Sequence, residues 1–194
     1  VNITDSEISN NSAENKGGGI YLLNSTTEII NSEINYNNSS DFNGTGNEVH
    51  GGGGGIYSYE SNLSLINSDI SYNNSYYGGG AICSYGGWGE SPLVIDNCTI
   101  KHNTTYKNAA SAIDVKNLSG DDRWGIFDIN NSFFLYNGVE GNQDTQLNPI
   151  ISFDRYKEIN INSSTFINGD YQHSIGLGDI FNNISVSNSI FYDD

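Results

Sequence analysis

The chain has 194 residues, with 7 basic and 23 acidic side chains, a formal net charge of -16 and a pI near 4.1. That balance argues against nucleic acid as a partner, because phosphates call for Lys and Arg, and against an anionic membrane surface. No apolar run is long enough to insert in a bilayer and no signal peptide is visible. Hydrophobic residues make up only 36%, yet they recur at fixed offsets, which disordered chains do not do.

The recurring pattern is apolar-x-apolar-x-Asn-Ser-x-apolar-x-x-Asn. It runs from Val1 to Ile8, Thr27 to Ile34, Leu63 to Ile70, Leu93 to Ile100, Phe127 to Phe134, Ile159 to Phe166 and Ile184 to Phe191. Copies lie about 25 to 36 residues apart, the spacing of stacked repeats. The opening alternation is that of a strand. The next apolar residue then arrives one position late, which would turn it outward in a continuing strand. The chain must therefore turn a corner at the Asn-Ser pair, where Asn tolerates left-handed backbone angles. Stacked corners align Asn31, Asn67, Asn97, Asn131 and Asn188, with Asp5 and Ser163 on the remaining rungs, and each amide is expected to bond the next in a ladder. A second column, Asn11, Asn37, Asn73, Asn103 and Asn137, marks a second corner. Just before it, Tyr36, Tyr72, His102 and Tyr136 form a column expected to stack as part of the scaffold.

A small-residue motif precedes the second to fourth copies, at Gly17 to Ile20, Gly53 to Ile56 and Gly79 to Ile82, with a worn version at Ala110 to Ile113. Its glycines permit close approach of neighbouring coils. No Lys-Ser/Thr and no helix follows, so it is not a phosphate loop. Together these features give an all-β fold: a right-handed, single-stranded parallel β-helix of about six to seven coils with Asn ladders. Residues 1–194 form one domain. Neither end carries a capping element, so the domain is expected to be a segment of a longer repeat protein, or to have its ends covered by neighbours.

The pairing of Gly79-Gly80-Ala81-Ile82 with Ile100-Lys101-His102-Asn103, and with Phe134-Leu135-Tyr136-Asn137, resembles the repeats of polymorphic outer membrane proteins and the adhesin-like surface proteins of methanogenic archaea. The resemblance covers nearly the whole chain. It departs where most copies have Ile in place of the family's Phe and where the Gly motif decays after Ile113. It implies a right-handed parallel β-helix at a cell surface, extracellular, with a role in adhesion and no catalytic residues.

Repeat length varies in four connections, Ser39 to Gly51, Gly86 to Pro92, Leu118 to Gly125 and Gly138 to Asn148, and insertions of this kind often carry binding. Tyr21, Tyr57 and Cys83 follow the motif Ile directly and are expected to point outward, with Tyr59 and Tyr85 two residues further on and Trp88 nearby. Tyr57, Tyr59, Tyr85 and Trp88 are thus the candidate contacts for surface glycans or proteins. Calcium would need oxygen clusters such as Asp121 and Asp122 with Asp128, or Glu140 with Asp144; no calcium-loop motif accompanies them, and no cofactor is expected. A polysaccharide hydrolase or lyase is the enzymatic alternative. It would need paired carboxylates or a basic residue, yet Asp114, Asp128 and Asp154 are not selected by any evident spacing, and Arg123 and Arg155 fall in different coils. A non-enzymatic binding segment is expected, with end-to-end filament assembly as the structural alternative. Sequons at Asn24, Asn43 and Asn117 are the candidate glycosylation sites, and Cys83 and Cys98 are expected to remain free thiols.

Overall fold

A computed structural model describes residues 1–40, 52–86, 92–106, 110–117, 125–139, 149–154, 157–168, 173–178 and 183–193. These residues contain strands and turns but no helix, in four parallel sheets. The first sheet stacks Asn2–Thr4, Thr26–Ile30, Asn62–Ile66, Leu93–Asp96, Ile126–Asn130, Glu158–Asn162 and Asn183–Ser187. The second stacks Glu7–Ser9, Glu33–Asn35, Asp69–Ser71, Thr99–Lys101, Phe133–Leu135, Thr165–Asn168 and Ile190–Asp193. The third holds Ser12–Ala13, Asn38–Ser39, Asn74–Ser75, Thr104–Thr105 and Gly138–Val139. The fourth holds Ile20–Leu23, Ile56–Tyr59, Ile82–Gly86, Ile113–Asn117, Pro149–Asp154 and His173–Leu177. In the first five coils the chain visits the sheets in this order, and strands of successive coils pair in parallel; among the described residues the sixth coil has strands in the first, second and fourth sheets and the seventh in the first two. This is a parallel β-helix whose first two sheets span seven coils.

Register follows the apolar columns. Ile3, Ile29, Leu65, Ile95, Ile129, Ile161 and Val186 align on the first sheet. Ile8, Ile34, Ile70, Ile100, Phe134, Phe166 and Phe191 align on the second. From Ile29 to Ile161 and from Ile34 to Phe166 these side chains are buried in one continuous core, each contributing about 1.5–3 kcal/mol of burial. The last coil is different, since Ile184, Val186 and Phe191 are exposed.

The corners explain the phase slip. Asp5, Asn31, Asn67, Asn97, Asn131, Ser163 and Asn188 all have φ between 48° and 53°, the left-handed region expected for them. The amide chain there is continuous for only part of its length. Asn31 donates to Asp5 (3.2 Å), Asn67 to Asn31 (3.2 Å) and Asn97 to Asn67 (2.8 Å). Asn131 instead donates to Asp96 and Asn188 to Asn162, so the ladder expected of them is broken, and the whole column is exposed. The buried rungs belong to the neighbouring hydroxyls. Ser32, Ser68, Ser132 and Ser164 each donate to the carbonyl two residues back, and the Oγ of each accepts the N–H of its counterpart one coil earlier. Cys98 sits in this Ser column as a buried free thiol.

The second corner carries the stronger ladder. Asn37, Asn73, Asn103 and Asn137 are buried, and each Oδ1 accepts both the backbone N–H and the amide of the Asn one coil earlier, all at 2.9–3.0 Å. Here the left-handed residue is the one before the Asn: Asn10, Tyr36, Tyr72, His102 or Tyr136, with φ of 51–58°. The small-residue motif then brings the third sheet against the entry to the fourth. A Cβ on Gly54 would run into the carbonyl oxygens of Asn74 and Gly80, so only glycine allows that approach.

Candidate functional site

The fourth sheet concentrates the chemistry that the repeat does not explain. Ile56, Ile82, Ile113 and Ile151 face the core, so the residues between them face out. They form two columns in register: Tyr21, Tyr57, Cys83, Asp114 and Ser152, and beside it Leu23, Tyr59, Tyr85, Lys116 and Asp154.

The candidate residues Tyr57, Tyr59 and Tyr85 therefore come together on one face. Their expected accessibility does not hold, because Tyr57 and Cys83 are 0% exposed and Tyr85 is 1%. These three make a second apolar cluster, apart from the main core, against which half-buried Tyr59 packs. The rings cover one another. Tyr21 stacks on Tyr57 at 5.5 Å and 6°, Tyr85 leans on it at 5.7 Å, and the Lys16 ammonium lies 5.2 Å from its centroid. Trp88 lies outside the described residues.

Sequence reasoning passed over Asp114 and Lys116. Asp114 is buried beside Cys83, and its Oδ2 lies 3.0 Å from the Lys116 ammonium. Neither Asp114 oxygen receives a well-directed hydrogen bond, nor does the Tyr57 hydroxyl, so the Lys116 contact is an ion pair. Burial pushes the Asp114 carboxyl up, with Lys116 opposing. Burial, the largest single influence, would lower Lys116, but Asp114 with help from Cys83 and Asp154 raises the ammonium above its usual value. The Cys83 thiol is pushed up to about 12 by burial and then by Asp114, and Cys98 to about 11 by burial. Tyr57 and Tyr85 are raised by burial as well. Both thiols are thus protonated and inert at neutral pH. A signal for this cluster was present in the chain: Asp114 follows Ile113 as Tyr57 follows Ile56, and Asp154 follows Ile151 as Tyr59 follows Ile56.

Chain order ties all four long insertions to this sheet. Segments 41–51 and 140–148 lead into its strands, and 87–91 and 118–124 lead out of them.

The other aromatic feature is exposed. Tyr36, Tyr72, His102 and Tyr136 stack at centroid spacings of 5.0, 5.0 and 5.8 Å and within 18° of parallel, as expected of that column. The three tyrosines are 56%, 44% and 48% exposed.

Of the candidate glycosylation sites, Asn24 is exposed at a left-handed corner with φ 46°; Asn43 and the Asn117 side chain lie outside the described residues. So do Asp121, Asp122, Glu140 and Asp144, while Asp128 accepts a hydrogen bond from Asn160 at 2.8 Å. Among the described residues no three His, Cys, Asp or Glu side chains are grouped to hold a metal ion, and no helix is long and apolar enough to cross a membrane. Comparison with protein-family models, with curated proteins and with solved structures finds no match.

Proposed function

We propose that the chain is an adhesin-like segment of a cell-surface protein, a β-helix that recognises glycan or protein partners through its fourth-sheet face and the insertions around it. One observation carries this reading: in chain order two of the long insertions come before strands of that sheet and two come after them, while the two Asn corners keep a constant length in the five coils that have both. Insertions that recur beside one strand of a repeat often carry binding. The proposed role is recognition, with the buried carboxyl and its Lys116 partner holding the face together. Tyr21 and Leu23 are the exposed members of this face, and Tyr59, Lys116 and Asp154 are half-buried ones that a partner would also reach. The test is binding to arrays of glycans and of purified surface proteins, with a Tyr59→Ala/Lys116→Ala variant and one whose 41–51 segment is cut to the short connection of the first coil. Affinity should fall roughly tenfold or more in a folded variant, and unchanged affinity in both overturns the site.

A further inference from the structure

The third sheet is a separate face, and its composition is unlike that of the rest of the surface. Its strands alternate, with Ser39, Ser75 and Thr105 buried and Asn38, Asn74 and Thr104 half-exposed. Register therefore lays Ser12, Asn38, Asn74, Thr104 and Gly138 along the axis of the coils as one outward column. Within it the Asn74 amide donates to the Thr104 hydroxyl at 2.7 Å.

An aromatic stack stands on each side of this column. On the side of the second corner are Tyr36, Tyr72, His102 and Tyr136. On the other side Tyr76 stacks on Tyr106 at 5.1 Å and 14°, with Tyr77 edge-on to Tyr76 at 4.9 Å. Stacked rings cover each other's faces, so the exposed parts are ring edges and phenol hydroxyls, repeated at the pitch of the coils. The first stack is also held against backbone preference, since Tyr at φ of 51–55° is uncommon where Asn, as at Asn10, would be at ease.

Charge decides what suits such a face. The chain carries 23 acidic residues and a net charge of -16; the column and its two stacks hold no carboxylate, Lys or Arg, and exposed Glu14 follows Ala13 in the first coil where Tyr76 follows Ser75 in the third. An anionic polymer or a second copy of the chain would meet long-range repulsion, and a basic peptide, though drawn by the same field, would find no carboxylate within the column itself to pair with. An uncharged polymer bearing hydroxyls along its length meets amides, hydroxyls and ring edges at a regular interval.

We propose that the third-sheet face binds an uncharged polysaccharide chain laid along the axis of the coils between the two aromatic stacks. This site is independent of the fourth-sheet face. Affinity electrophoresis in native gels tests it, using soluble galactomannan, xyloglucan and mixed-linkage β-glucan as neutral probes, with polygalacturonate, chitosan and a proline-rich peptide as competitors of other chemistry. The native chain should be retarded by at least one neutral polymer. A Tyr72→Ala/Tyr136→Ala variant should lose roughly tenfold in affinity, and Asn74→Asp, which puts a charge on the floor and replaces the amide donor to Thr104 by an acceptor, should weaken binding as well. Phe133→Ala, at an exposed residue of the second sheet outside both faces, should be retarded like the native chain. Circular dichroism of each variant separates lost binding from lost fold, and Asn74→Asp keeps the test open should the double variant not fold. Retardation by chitosan alone, displacement by the peptide alone, no retardation in any neutral gel, or retardation equal in native and folded variant chains would each overturn the proposal. Loss in Tyr59→Ala with none in the third-sheet variants would assign binding to the fourth-sheet face instead.

Discussion

Two columns of asparagine run along this molecule, and they perform opposite tasks. At the first corner the Asn takes up the left-handed backbone and leaves its amide at the surface, while the following Ser closes the buried hydrogen bonds. At the second corner an aromatic residue takes up the left-handed backbone and the Asn goes inside, bonding its neighbours through both backbone and side chain. The same residue type at the same period thus serves once for its conformational tolerance and once for its donors and acceptors. Burial decides which property counts, because an amide bond exchanged with water is worth little and an orphaned buried group costs about 1–3 kcal/mol.

The comparison can be broken by substitution. Asn73→Ala should have the largest effect, since it strands the Asn37 N–H, leaves the Asn37 amide only its bond to Ile8, and removes the bonds to Ile34 and Asn103. A loss of about 4 kcal/mol is expected in urea denaturation; under about 1 kcal/mol would mean the inner ladder is not structural. Ser68→Ala leaves the Ser32 N–H without its acceptor and should cost about 2 kcal/mol. Asn67→Ala should cost about 1 kcal/mol, chiefly from placing a Cβ residue without a helpful side chain at φ 50°. Asn67→Gly, measured alongside, should stay within about 0.5 kcal/mol of the native chain. A glycine variant as weak as Asn73→Ala would restore the exposed column to a structural role. Smallest of all, Cys98→Ser should shift stability by less than about 1 kcal/mol, because a hydroxyl restores the column while the apolar packing of the thiol is lost.

These corners also mark how far the chain could be read without coordinates. The late apolar residue after each Asn required a turn, and the left-handed angles at Asn31, Asn67 and Asn97 are that turn. Which member of the Asn-Ser pair points inward could not be read, because both can hydrogen-bond and strand alternation stops at a corner. The four-ring stack was legible as a column of Tyr and His, but its left-handed backbone was not, since aromatic residues seldom adopt it. The fourth-sheet cluster was legible only in part. Alternation put Tyr57 and Tyr85 on the outer face, but exposure there depends on what neighbouring columns add, and three rings and a thiol are enough to bury one another. Asp114 looked like any acidic residue until register set it between Cys83 and Ser152.

The alignment of the sheets has a mechanical side. Backbone bonds between coils run along the axis, from Asn31 to Ile66, from Asn67 to Asp96, from Asn97 to Asn130. A pull applied to one end of the chain is borne by the outermost coil alone rather than shared in shear among all of them. Such a stack yields by peeling, one turn at a time, each turn of about 30 residues paying out about 100 Å of extended chain. A tether built this way would lengthen in steps under load and rewind when slack, with the remaining coils as its template.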